Sequence, residues 1–355
     1  MRRLFLILIL ISVFGILSAQ DFKEKIDSII KTEFMQVNEP GGAFLVAKNG
    51  KVLYKKSFGK ANLELDVDMT IDHVFQIGSM TKQFTAVAIL MLEKQGKLTV
   101  NDPISKFIPN YPSGHKITIK HLLTHTSGIQ DFTKMKSISD IAQKQMTPEM
   151  MVNFFKDEPV NFEAGEKFEY NNSGYVVLGY IIELVSGITY EDFIQKNIFQ
   201  KIGMNNSYYA SDRKIIKSRA YGYHQKADGF VNKTWINFSV PFSSGSLMST
   251  LEDLLKWQNA LNDNQVLDSL SLSQAFKSYK LNNGEVSSYG FGWHIKEING
   301  IPTREHGGSI FGFKSMAVYI PSRDIYIVGL SNCDCHSPTE LVREIAKITL
   351  EVMKQ

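Results

Sequence analysis

Apolar and polar positions recur with two different periods along this chain, and the change of period divides it into regions. From Phe84 it reads FTAVAILMLEKQGKL, with Phe84, Val87, Ala88 and Met91 at the spacing of one helical face and Gly96 as a stop. Asp21 to Met35 carries a similar pattern, and PTELVREIAKITLEVMKQ predicts a last amphipathic helix. GGAFLVAKNGKVLYKKSFG reads instead as two strand-like runs around Asn49-Gly50, the strongest short hairpin signal. Near the other end, KSMAVYI and IYIVGLSN predict strands separated by a turn at Pro321-Ser322-Arg323-Asp324. Helical and loop-like segments dominate from Ser79 to about Ser239, among them ITIKHLLTHTSGI and GYVVLGYIIELVSG. No linker, repeat or low-complexity tract interrupts this order.

Strands at both ends with helices between them predict an α/β (α+β) fold. It consists of one antiparallel sheet built from both termini, flanked by the terminal helices, with a mostly helical insertion. The α/β part would span about residues 20–78 and 240–355, and the insertion about 79–239, all in one domain from residue 20 onward. Sheet faces need cover, so the first and last helices take one face and the insertion the other. The cleft between sheet and insertion is then the place for a site.

The N-terminus changes the picture of where the protein works. MRRLFLILILISVFGILSAQ has two arginines, an apolar run from Leu4 to Leu17 and a small residue at Ala19. This predicts a secretory signal peptide over residues 1–19, and with it a secreted or periplasmic protein. The run is short for a membrane span, so no stable span is expected after cleavage, and no cysteine follows it to carry a lipid anchor. Losing Arg2 and Arg3 lowers the formal net charge from +3 to about +1. Without basic blocks there is no electrostatic case for nucleic acid. Cys333 and Cys335, in NCDCHS beside His336, allow a metal site or a strained disulfide, but they lack the four-ligand spacing of a zinc motif, and we read them as small apolar residues at a strand end. The fold is not expected to rest on disulfides.

Candidate chemistry begins with QIGSMTKQF. Ser79 is placed as the N-cap of the Phe84 helix, and a capping box would put Glu or Gln three residues later. Lys82 stands there instead, a cation at the positive end of a helix. Ser-x-x-Lys also occurs at Ser28/Lys31, Ser57/Lys60, Ser113/Lys116 and Ser211/Lys214. Only the Ser79 copy follows a strand-like run and opens a long apolar helix, which sets the two side chains one turn apart on one face. Away from water the lysine pKa should fall, and a neutral amine can take a proton from a serine hydroxyl. Two further motifs stand alone in the chain: Tyr-x-Asn at Tyr170 and Asn172, in YNNSGY, and His-x-Gly at His306 and Gly308, in HGGSIFGF. A tyrosine between two cationic groups could act as base toward Ser79 and then as acid toward the leaving group, while Asn172 orients a substrate carbonyl or amide. Each motif also has a plain reading, as a capped turn and as a glycine-bearing loop.

Together, in this order, the three motifs resemble those of the serine β-lactamase and penicillin-binding-protein superfamily, most closely its class C-like branch, which includes D-specific peptidases and esterases. The resemblance covers nearly the whole chain after the leader: GSMTKQFTA, LLTHTSG, YNNSGY, SSGSLMSTLEDLLKW and HGGSIFGFKS. It implies an α/β sandwich with a helical insertion. It makes Ser79 the acylated nucleophile, Lys82 and Tyr170 the proton-transfer pair and Asn172 a substrate-orienting side chain, with His306 and Gly308 in the third motif. The N–H groups of Ser79 and Ser309 would form the oxyanion hole. No metal or organic cofactor is implied.

The third motif departs from the Lys-Thr-Gly of β-lactamases in that branch. His306-Gly307-Gly308 has no threonine hydroxyl and no fixed charge for a substrate carboxylate. Arg304, two residues before His306, either restores that charge or is a solvent-facing edge residue. His121 and His125 lack the glutamate of a zinc protease and read as structural. Aromatic residues in YGYHQKADGFVNKTWINFS either shape an acyl pocket or pack the core. The resulting expectation is a hydrolase of a small-molecule or peptide ester or amide, with D-amino-acid-containing cell-wall peptides as natural substrate. Carboxylesterase or weak β-lactamase activity is the nearest alternative. A penicillin-binding sensor that acylates without turnover is the alternative of another class, and a silent interaction protein is disfavoured because all three motifs are intact in type.

Overall fold

The computed structural model describes residues 20–353, so the leader expected at 1–19 lies outside the described residues. Residues 20–30 form the first helix, α1, which buries Phe22, Ile26 and Ile30 at near four-residue spacing. β1 (Gly42–Lys48) and β2 (Lys51–Phe58) follow as a hairpin. Asn49 and Gly50 turn it with φ of 50° and 70°, the left-handed pair a two-residue hairpin of this twist requires.

The chain returns to the same sheet only at β3 (His294–Ile298), then continues through β4 (Ile301–Ile310), β5 (Phe313–Ile320) and β6 (Ile325–Ser331). The six strands are antiparallel in the order β3-β4-β5-β6-β1-β2. β1 and β6 pair from Gly42 opposite Ser331 to Lys48 opposite Ile325, so the first and last strands adjoin in the sheet interior. Both are buried along nearly their whole length, hence their continuous apolar runs.

Four further long helices cover the sheet: α2 (Thr81–Lys94), α3 (Asn172–Ser186), α4 (Leu251–Asn262) and α5 (Pro338–Val352). Phe44, Val46, Val318 and Ile327 join Ile26 and Ile30 of α1 and Val342 and Ile345 of α5 in one core. Ala43, Leu45, Ala317 and Val328 point the other way, into a larger core with α2, α3 and α4. The terminal helices thus take one face, as the chain order predicts, and α2 and α3 of the insertion take the other together with α4, which follows the insertion.

Two details differ from the sequence reading. The sheet has one strand that the sequence reading did not single out, at His294–Ile298, and a small hairpin, Tyr223–Lys226 with Gly229–Asn232, sits inside the mostly helical insertion. Its strands are too short and polar to leave a period, although Asp228-Gly229 marks its turn. The cysteines are the second correction. A turn at Asp334 brings Cys333 and Cys335 to a Cα–Cα distance of 5.1 Å, and they form a disulfide rather than two free thiols. Closing so short a loop removes little freedom from the unfolded chain.

Candidate active site

Ser79 lies in a 3₁₀ turn, Gly78–Met80, immediately before α2. It does not cap that helix: the cap residue is Met80, with no side-chain capping bond. Gly78 at φ +51° makes the turn, a conformation few other residues adopt. Lys82, in the first turn of α2, is fully buried. Its Nζ donates to Ser79 Oγ at 3.1 Å, to Asn172 Oδ1 at 2.9 Å and to the Ser244 carbonyl at 2.8 Å. None of these acceptors is a carboxylate. Burial therefore pulls the amine down to about 7, against an upward pull from the Asp131 charge. Once neutral, the nitrogen offers a lone pair, and the bond to Ser79 can reverse so that the hydroxyl donates.

Asn172 is held from behind. Asn171 caps α3, its Oδ1 accepting from Gly174 N at 2.9 Å and its Nδ2 donating to the Ile129 carbonyl at 2.6 Å. Ser173 Oγ accepts from Phe132 N at 2.8 Å. Between them, Asn172 donates its backbone N–H and its Nδ2 to Asp131 Oδ2 at 3.3 and 3.2 Å. Asp131, 2 % exposed, also accepts from the N–H and Oγ1 of Thr133. These bonds fix which way the Asn172 amide points, so that its oxygen meets Lys82. The capped-turn reading and the functional reading of YNNSGY thus hold for different residues of the same motif.

Tyr170 presents its ring 4.9 Å from Lys82 Nζ, and its hydroxyl is buried with no hydrogen-bond partner among the described residues. Burial raises the phenol far above its ordinary range, and the Asp131 charge pushes it further up. The expected phenolate base is therefore not what this environment favours. His306, behind the Tyr170 ring, adds no charge to help it ionise, being buried and held well below the ordinary histidine range by burial, by His294 and by Lys82.

His306 is turned into the protein interior. Its Nδ1 donates to the Gly307 carbonyl at 2.6 Å, which leaves Nε2 to accept from the Tyr289 hydroxyl at 2.9 Å. The ring stands behind Tyr170, centroids 6.2 Å apart, and does not line the cleft. Arg304 goes elsewhere too, lying 3.8 Å over the Phe276 ring in a separate cavity beside Asn262 and Tyr319. Neither side chain supplies a charge for a substrate carboxylate. His121 accepts from Thr118 N in a capping box, and His125 lies 4.3 Å from the Tyr170 ring.

The glycines of the third motif have a steric purpose. A Cβ on Gly308 would stand 2.0 Å from the Ile77 carbonyl oxygen, and one on Gly78 would stand 2.9 Å from Ser309 N. β4 and the Ser79 turn therefore touch backbone to backbone, locked by Ser315 Oγ donating to the Ile77 carbonyl at 2.8 Å. This contact brings the Ser309 N–H next to the serine turn.

A cavity of about 590 Å³ opens over these groups. Ser79, Tyr170, Asn172, Ser244 and Ser309 line it, with apolar walls from Phe132, Ile138, Ile236, Val240 and Phe311. The loop after Tyr221 contributes Ile236; its aromatic residues do not line the cavity. The structure thus gathers Ser79, Lys82, Tyr170, Asn172, Gly308 and Ser309 and leaves His306 behind them. Sequence reading missed Asp131 and Ser244, whose sequence carries no signal apart from the partners they meet in space.

The sequence profile described as Beta-lactamase matches residues 26–348. Penicillin-binding protein 4* of Bacillus subtilis is 31% identical over 331 residues, 88% of this chain and 72% of its own length. Protein flp of Staphylococcus aureus is 30% identical over 92% of this chain, which spans 66% of flp. The octameric penicillin-binding protein homologue from Pyrococcus abyssi superposes with a TM-score of 0.81 at 31% identity, covering 92% of this chain and 77% of that one. D-amino acid amidase from Ochrobactrum anthropi SV3 superposes with a TM-score of 0.79 at 26% identity, covering 93% and 99%.

Proposed function

Because this chain belongs to the beta-lactamase family of serine hydrolases, we propose that it cleaves an ester or amide through a covalent acyl intermediate on Ser79, with D-amino-acid-containing peptides as the natural substrate. The observation that carries this reading is Lys82, fully buried, 3.1 Å from Ser79 Oγ and held near neutrality at about 7. Ser79 Oγ attacks the carbonyl carbon while its proton passes to the neutral Lys82 amine. The oxyanion that forms is met by the N–H groups of Ser79 and Ser309. As the carbon–leaving-group bond breaks, the leaving nitrogen or oxygen takes a proton relayed from Lys82 through the Tyr170 phenol. Water then adds to the acyl carbon by the same proton path in reverse, releasing the acid and restoring Ser79. Asn172, clamped by Asp131, orients the substrate carbonyl side.

The D-amino-acid reading is supported by the D-amino acid amidase among the structural neighbours, while the absence of a charged side chain in the third motif favours an amide or ester over a substrate with a free C-terminal carboxylate. Export through a leader at 1–19 is part of the proposal, and the Cys333–Cys335 disulfide suits an oxidising compartment. The test offers a nitrophenyl ester, a chromogenic cephalosporin and a D-Ala-D-Ala peptide to the purified protein, with mass spectrometry for an acyl group on Ser79. Ser79→Ala is expected to abolish turnover while circular dichroism is unchanged. Undiminished hydrolysis by that variant would end the proposal, and a lasting Ser79 adduct without turnover would make the protein a sensor instead.

A further inference from the structure

Among the described residues that line the Ser79 cavity, Asp334 is the one acidic side chain, and no basic one accompanies it. It sits in the turn between Cys333 and Cys335, and the disulfide closes that turn on itself. Asp334 N donates to the Tyr223 carbonyl at 3.3 Å, and Tyr223 N donates to the Asn332 carbonyl at 2.9 Å, which pins the turn to the insertion. One carboxylate oxygen, Oδ2, is 2.5 Å from His224 Nδ1. The tautomer of that histidine follows from its other nitrogen. His224 Nε2 receives the backbone N–H of Thr234 at 2.9 Å, and a backbone N–H can only donate. The proton is therefore on Nδ1, and the ring buttresses Asp334 as a hydrogen-bond donor to Oδ2 alone. Oδ1 has no hydrogen-bond partner among the described residues, and the side chain is a third exposed.

No lysine or arginine lines the cavity, and Lys233, whose stem passes Gly222 and Gly312, ends over the Phe238 ring. Lys82 is engaged with Ser79, Asn172 and Ser244. The apolar wall at Phe132, Ile138, Ile236, Val240 and Phe311 leaves room for a large side chain.

We infer that Asp334 is the specificity-determining residue of this site and receives the ammonium group of the substrate, so that the substrate class is an amide or ester of an apolar amino acid or peptide with a free amino group. The inference rests on the Ser79 hydrolase reading. The cation is drawn to the free Oδ1, while the side chain fills the apolar wall. A substrate bearing an anion at that position meets a like charge and no compensating cation.

Three probes test this at pH 7, where an α-amino group of pKa about 7.7–8.0 is mostly protonated. They are D-phenylalanine 4-nitroanilide, its N-acetyl derivative and 4-nitrophenyl butyrate. The quantity read is the ratio of kcat/KM for the free amine to that for the acetylated anilide, which cancels any general loss of activity. The wild-type ratio is expected to be about tenfold or more, the size of a hydrogen bond to a charged group. Asp334→Asn should bring it close to one, and Asp334→Lys below one. A wild-type ratio of one, or a ratio that survives both substitutions, overturns the inference while butyrate hydrolysis keeps the hydrolase reading standing. Failure of the wild-type protein to hydrolyse butyrate or acylate Ser79 overturns both.

Discussion

At the scale of single residues, Lys82 sets the expected pH behaviour. Its amine must be neutral to receive the Ser79 proton, so kcat/KM should rise with pH through an inflection near 7. The Asp131 charge pulls that value upward. Asp131→Asn should therefore move the inflection to lower pH while also loosening Asn172, which a pH–rate profile on 4-nitrophenyl butyrate would read. The same lysine links stability to pH. Its folded value, about 7, lies below its unfolded value near 10.5, so between the two the unfolded chain binds more protons and stability rises with pH. The cost of burying the charge is complete below pH 7 and gone above about 10.5. Lys82→Met should accordingly gain most in melting temperature over wild type near pH 6, with the gap closing toward pH 10, and should lose about 10²–10⁴-fold in activity. Ser79 and Lys82 were legible in the sequence because three residues on a helix are one turn in space. Asp131 and Ser244 were not, since Asn172 meets one across 41 residues and Lys82 the other across 162. The direction of the Tyr170 shift was hidden for a related reason: burial and the neutrality of His306 are properties of the assembled site.

At the scale of elements, the central strands and long helices were readable because their periods persist for two turns or more. The 3₁₀ turn at Ser79 was not, as three residues leave no period and a serine before a helix looks like a cap. The third motif was read as a site for a side chain, whereas its glycines act by what they lack. This gives an ordered expectation for two neighbouring substitutions. Gly308→Ala drives a Cβ to 2.0 Å from the Ile77 oxygen, while Gly307→Ala meets Ser315 O at 3.3 Å and Met316 Sδ at 3.4 Å. The first should separate β4 from the serine turn and lower kcat/KM about 10²-fold, the usual consequence of a displacement near 1 Å, with a fall in melting temperature. The second should cost far less on both measures. Equal losses would mean that the backbone contact does not position the site.

At the scale of the whole molecule, two cores share one sheet, and this was legible from chain order alone because strands near both ends must find one another. The sequence could not show how tightly. A chain ending at residue 337 would strip α5 from Phe44, Val46 and Ile327, and is expected to be insoluble or to melt without a cooperative transition in calorimetry. The β1–β6 ladder has one more consequence. Gly42 finds its partner only at Ser331, so every residue between them must be synthesised before the sheet can close. Until then a nascent polypeptide has no way to fasten its two ends together, and its central sheet stays unzipped however complete the helices between them are.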